Sequence, residues 1–209
     1  MRRWLQYGGF AAGIVLIAFG VVAIFMGING RSTVHDNLSQ EKIVGSADMT
    51  PAGIAAEAKA AGLKNVSLPT CSVAGKAVTS GSAARCFASY MRIHGLEASG
   101  GLTFSQMPRY ASADGKGTNV IAKATKGSGG QPLDNPARTV WTSETAFSTA
   151  LNVSYMADQL ALFGIVVGIA LLLSGIGFIV LAAYGVMRVA TTLTQPAPAP
   201  ARTPAAAGV

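Results

Sequence analysis

The sequence predicts a membrane fold class: two antiparallel transmembrane helices flanking a small extracytoplasmic domain that is α+β or mainly helical. Three observations carry that prediction. Of the 209 residues, 50% are hydrophobic and 12% are charged, too few charges to cover an ordinary soluble globule of this size. Two runs, Tyr7–Ile28 of 22 residues and Leu160–Met187 of 28, contain no charged residue. All nine acids lie between Asp36 and Asp158, while Arg2, Arg3, Arg188 and Arg202 lie outside that stretch with no acid among them. Over residues 31–158 twelve basic residues, Arg31 through Arg138, face the nine acids, so 12 − 9 leaves +3 of the formal +7. The basicity therefore reads as topology, and nucleic acid is not expected as a partner.

Residues 1–6 form a cytoplasmic N-terminus and residues 7–28 the first span. Residues 160–187 form the second. Each run exceeds the roughly 20 residues a helix needs to cross a hydrocarbon core about 30 Å thick. The first holds eleven Phe, Ile, Leu or Val and the second sixteen, each favouring insertion by about 0.3–0.6 kcal/mol near a helix centre. Arg2 and Arg3 followed by an apolar run also suit a secretory signal. The run is, however, longer than an ordinary signal core, and Gly27-Ile28-Asn29-Gly30-Arg31 offers no small-x-small cleavage site, which predicts an uncleaved signal anchor. Positive charge beside the spans, Arg2 and Arg3 before the first and Arg188 after the second, predicts a multi-pass protein of the cell membrane with both termini cytoplasmic. Residues 29–159 are then extracytoplasmic, and 188–209, rich in Pro and Ala, form a disordered cytoplasmic tail.

Small residues recur every seven positions in both spans: Gly13, Gly20 and Gly27 in the first, Ala161, Gly168, Gly175 and Ala182 in the second. Seven residues make almost two helical turns, so each series lines one shallow groove where a neighbouring backbone can approach closely. Antiparallel packing along these seams sets Gly27 near Ala161 and Gly164, and Gly13 near Gly175 and Ala182. Neither span contains an Asp, Glu, Lys, Arg or His, which argues against a proton relay or an ion-coupled transporter.

Within the extracytoplasmic segment, Thr50-Pro51 starts a helix, with a hydroxyl cap and proline at the first helical position. It runs over Ala52–Ala61 until Gly62 ends it. Its apolar face of Ala55, Ala58 and Ala61 is thin, which predicts a peripheral helix. Val66–Leu68 and Val73–Val78 alternate as short strands do. Over Ser82–Ser99 the pattern becomes helical: Cys86, Phe87, Tyr90, Met91 and His94 share one face and Gly100-Gly101 is the stop, so this is the predicted core helix. The Gly- and Ser-rich stretch 110–136 predicts a mobile loop with a hairpin around Asn119–Lys123. Trp141, Phe147, Leu151 and Tyr155 then lead without a breaker into Leu160, so the second span continues a helix that starts near Thr142.

Cys71 and Cys86, the only cysteines, fall outside the predicted cytoplasm and pair as a disulfide in an oxidising compartment. A zinc site from Cys71, Cys86 and His94 lacks any Cys-x-x-Cys or His-x-x-x-His spacing. No cofactor, metal ligand set or catalytic constellation is predicted. His35 and His94 stand in no motif, and Gly115-Lys116-Gly117-Thr118 lacks the frame of a phosphate-binding loop. Asn37-Leu38-Ser39, Asn65-Val66-Ser67 and Asn152-Val153-Ser154 are glycosylation sequons.

Glu41-Lys42-Ile43-Val44, Cys86-Phe87-Ala88-Ser89-Tyr90-Met91-Arg92-Ile93-His94, Glu97-Ala98-Ser99-Gly100-Gly101 and Arg138-Thr139-Val140-Trp141 through the second span carry a resemblance. By these residues the chain resembles a family of uncharacterised actinobacterial membrane proteins with two spans around one extracytoplasmic segment. The resemblance implies an envelope location and no established activity. Some similar sequences carry the label aromatic ring-opening dioxygenase, but the paired histidines and carboxylate of a non-haem iron site have no motif here.

Together these readings predict a structural or interaction component of the cell envelope, in contact with membrane lipid and with another envelope protein or an anionic cell-wall polymer. The alternatives are an envelope enzyme, hydrolase-like with His94 or Glu97 in a cleft, and an accessory subunit of an oligomeric channel or transporter.

Overall fold

The structure, a computed structural model, describes residues 2–193. Four α-helices follow in order: α1 Arg2–Gln40, α2 Pro51–Ala60, α3 Gly81–Ala98 and α4 Pro136–Leu193, with one 3-10 turn at Ile121–Lys123. The chain divides into two compact units, Met1–Phe25 with Ile165–Val209, and Met26–Gly164. Two segments, Tyr7–Gln40 and Pro136–Tyr184, are helices long and apolar enough to cross a membrane.

Both long helices outrun their predicted spans. Hydropathy marks Ile28 as the end of the first run, yet α1 continues to Gln40. Val34 and Leu38, one turn apart, are buried there among charged neighbours that hide them from a reading of hydropathy. The last long helix begins six residues before Thr142, because Asn135 and Pro136 form a start signal: the Asn135 side chain accepts from the Ala137 amide at 3.1 Å and proline occupies the first helical position. At its other end α4 runs to Leu193, so 188–193 are helical and not tail; the remainder of the predicted tail, 194–209, lies outside the described residues.

In the first unit small residues meet backbone. A Cβ placed on Gly20 would lie 2.7 Å from the Gly168 carbonyl oxygen, and one on Gly13 would lie 2.8 Å from that of Gly175. Gly9, which stands outside the seven-residue series, faces the Ala182 methyl at 3.3 Å. Ala182 therefore pairs one turn away from its predicted neighbour Gly13. The Ala161 methyl, expected near Gly27, faces Gly30 at 3.2 Å within the second unit.

The second unit is built around α3. Ser80 caps it by accepting from the Ala83 amide, and Gly100 and Gly101, both at positive φ, stop it. Cys86, Phe87, Tyr90 and Ile93 point into a core completed by Val34, Leu38, Ile54, Val73, Val78 and Leu151. Phe87 meets Phe147 edge-to-face at 6.0 Å. The expectation of a peripheral α2 is corrected by Ile54, which is fully buried beside Ala58 and docks the helix onto α3. One large side chain outweighs the thin alanine face.

The described residues contain no strand, which removes the α+β alternative and leaves the mainly helical one. The alternation over Val73–Val78 is real, since Val73 and Val78 are buried. Its backbone, however, pairs only through isolated bridges, Val44 with Ala77 and Gly45 with Ala74, because Gly75 at positive φ turns the chain between them. The predicted hairpin at Asn119–Lys123 is instead the 3-10 turn. The stretch around it is tied by backbone bonds from Ala111 to Leu133, Leu133 to Thr125 and Thr125 to Ala111.

Candidate functional site

The disulfide joins Cys71 to Cys86 across a Cα separation of 6.1 Å. It anchors the 66–78 stretch to α3, and the Tyr90 hydroxyl, one turn further along that helix, donates to the Cys71 carbonyl. These two links fix the register of α3 against the segment leading from α2. Burial pushes the Tyr90 hydroxyl above its ordinary pKa, with a smaller push from the Asp48 charge.

That register brings four titratable side chains together. Asp48 precedes α2, Glu57 stands two turns into it, and His94 and Glu97 lie one turn apart on α3. His94 Nε2 is 3.3 Å from Asp48 Oδ2, and His94 Nδ1 is 3.6 Å from Glu57 Oε2 and 3.7 Å from Glu97 Oε2. The ring is flanked by carboxylates on both nitrogens. Side-chain exposures of 29% for His94 and 33% for both Asp48 and Glu57 place the group at the edge of the core, within reach of solvent. Glu57 Oε2 is itself buried and accepts no hydrogen bond, the 3.6 Å to His94 being too long for one.

Local sequence explains why Asp48 sits there. The Thr50 amide bonds the Asp48 carbonyl, and the Thr50 hydroxyl caps α2 by accepting from the Gly53 amide. Any Cβ on residue 53 would overlap the Asp48 carbonyl oxygen, so glycine at that position is what lets the acidic turn fold back over the first turn of α2. The Ser46 hydroxyl holds the Asp48 carboxyl below its usual pKa, against the raising effect of burial. The backbone amide and His94 add smaller lowering effects.

A second polar feature lies at the start of α4. A cleft of about 410 Å³ is lined by Phe104, Arg109, Asp134, Asn135, Arg138 and Thr139, among others. The Arg138 guanidinium stacks on the Phe104 ring at 4.0 Å and Arg109 lies 5.3 Å from the Tyr110 ring. Aromatic faces hold guanidinium groups in fixed orientations while leaving their N–H edges free to bind oxyanions.

The structure places His94 away from the thiolate set considered for zinc, since both cysteine sulfurs are spent in the disulfide. It places His35 apart as well, with Nδ1 at 2.9 Å from the Thr79 carbonyl oxygen. Asp48 and Glu57 carry no sequence motif; the only signal was that both bracket the Thr50-Pro51 helix start. No family model, curated protein or solved structure matches the chain.

Proposed function

We propose that the chain is an integral membrane protein of the cell envelope, with both termini cytoplasmic and the 29–159 domain outside, acting as a structural or interaction component. One observation carries the reading. In the most apolar stretch of each long helix only 17% of the residues are buried, so Ile14, Phe19, Phe25, Phe163, Val166 and Leu173 turn their side chains outward. The core helix of a soluble protein buries such residues; hydrocarbon accommodates them exposed.

The seam supports an antiparallel pair of spans, because partners descend along α4 as they ascend along α1: Gly9 with Ala182, Gly13 with Gly175, Gly20 with Gly168. Lipid tails give apolar side chains no reason to prefer protein over solvent, so close backbone approach at glycine is the available source of association energy. Cysteines replacing Gly9 and Ala182, whose Cβ atoms would be 3.3 Å apart, are expected to form an intrachain disulfide when isolated membranes are treated with copper–phenanthroline as the oxidant. The Cys71–Cys86 bridge supports an oxidising location for the domain. Its partner is an anionic component of the envelope, a reading supported by the net +3 of residues 31–158 and by Arg109 and Arg138 in their cleft.

The test is native purification of the full chain from membranes, with mass spectrometry of whatever co-purifies and sedimentation with anionic wall polymer at low and high salt. The expected result is a stoichiometric envelope partner, or salt-sensitive sedimentation lost in the Arg109→Glu, Arg138→Glu double variant. A solitary chain that ignores the polymer sinks the interaction reading.

A further inference from the structure

We propose that Asp48, Glu57 and His94 form a binding site for a borderline divalent cation, with Zn²⁺ as its best fit. Each of the three offers one ligand atom, and those atoms lie within 4.8 Å of one another. They come from two separate elements, the turn before α2 with α2 itself, and α3, whose register is fixed by the disulfide and by Tyr90.

Charge and hydrogen bonding both favour a cation at this position. Among the described residues no Lys or Arg pairs with Asp48, Glu57 or Glu97, and their one ion-pair partner is His94. Three carboxylates around one imidazole leave a net charge of −2 even with the ring protonated. The buried Glu57 Oε2 has no donor, a cost that protein interiors ordinarily avoid, and a metal ion satisfies it.

The donor set selects the cation. An imidazole nitrogen is a poor ligand for Mg²⁺ or Ca²⁺, which favour oxygen, and the absence of thiolate disfavours Cu⁺; one nitrogen with two carboxylate oxygens suits Zn²⁺. Zinc bonds of about 2.0–2.2 Å set tetrahedral ligands roughly 3.3–3.6 Å apart, and the Nε2 to Asp48 Oδ2 separation is 3.3 Å. With Nε2 coordinating, Nδ1–H lies between Glu57 Oε2 at 3.6 Å and Glu97 Oε2 at 3.7 Å, and with Glu57 turned to the ion Glu97 is the carboxylate left beside it. Glu97 is then the positioning residue that fixes the ring and its tautomer. Three protein ligands leave the fourth position to water. The oxidising compartment that removes the cysteines from metal chemistry does nothing to this oxygen and nitrogen set.

The test uses the full chain without a polyhistidine tag, in detergent, stripped with chelator and titrated calorimetrically with zinc chloride. Bound zinc is counted by elemental analysis. We expect one zinc per chain and a rise in domain melting temperature on zinc addition. His94→Ala and Asp48→Asn abolish both, the isosteric Glu57→Gln lowers affinity by about 100-fold or more, and Glu97→Gln lowers it by about 10- to 100-fold. His35→Ala serves as the control and binds as the parent chain does. A parent chain that binds no zinc, or a Glu57→Gln variant that folds with its disulfide intact and binds zinc undiminished, overturns the proposal.

Discussion

The two units of this molecule solve the same packing problem in opposite ways. Where residues of 7–25 meet those of 165–184, the contact is backbone on backbone: Gly13, Gly20, Gly168 and Gly175 are buried while large apolar side chains point outward. In Met26–Gly164 the order is reversed, with Tyr90, Ile54, Ile93 and Val78 almost wholly enclosed. With the long helices in lipid, as proposed, the first arrangement gains van der Waals contact without gaining from the removal of apolar surface from water; the second depends on that removal. A residue's hydrophobicity therefore predicts burial in the second unit and exposure in the first, while small size predicts burial in the first.

This comparison can be broken by substitution. Tyr90→Ala removes the largest enclosed side chain and the donor to the Cys71 carbonyl, and is expected to destabilise the domain by about 3–5 kcal/mol. Emission from Trp141, buried at 6% exposure, followed through urea unfolding in a Trp4→Phe background, measures it. A loss under about 1 kcal/mol would show that the second unit does not rest on side-chain burial.

Replacing both Cys71 and Cys86 with serine opens a 15-residue separation and is expected to cost about 3 kcal/mol. The same unfolding assay, repeated on the parent chain under reducing conditions, should give an equal shift. Unequal shifts would assign part of the effect to serine itself.

The seam offers the sharper contrast, two glycines of one helix. A methyl at Gly168 meets the Gly20 carbonyl oxygen at 2.7 Å, whereas one at Gly177 meets nothing within 4 Å. Gly168→Ala should lower the midpoint of unfolding by sodium dodecyl sulfate, at a cost of about 1–3 kcal/mol. Gly177→Ala should stay within about 0.5 kcal/mol of the parent. Equal midpoints for the two would refute close backbone packing as the source of association. Smallest is Thr50→Ala, which deprives the Gly53 amide of its cap and is expected to cost about 1 kcal/mol. If zinc affinity falls with it, the cap also positions Asp48.

Local chemistry carried much of the fold into the sequence. The Thr50-Pro51 start of α2, the Cys86, Phe87 and Tyr90 part of the stripe and the Gly100-Gly101 stop of α3 were all legible, because caps, periodicity and left-handed glycines act within a few residues; Ile93, not Met91 or His94, completes the buried face. The cysteine pair was legible by elimination, there being no third. The extension of α1 to Gln40 was not, since Val34 and Leu38 sit in a polar stretch and only their burial in the core cluster reveals them. Val73–Val78 misled for a related reason: alternation marks which side chains face the core, and a buried irregular segment beside a glycine turn alternates as a strand does.

By itself, then, the sequence determined the two long apolar helices, the seven-residue glycine period, the disulfide and the helix starts, because each is set by neighbours along the chain. The tertiary structure alone decided that Ala182 meets Gly9, that α2 is held by Ile54, and that Asp48 and Glu57 converge on His94 and Glu97. Those outcomes join residues far apart in the chain, through a register that no local pattern encodes. It exists only once Tyr90 has found the Cys71 carbonyl, the disulfide has closed, and Gly53 has let the Asp48 turn fold over α2.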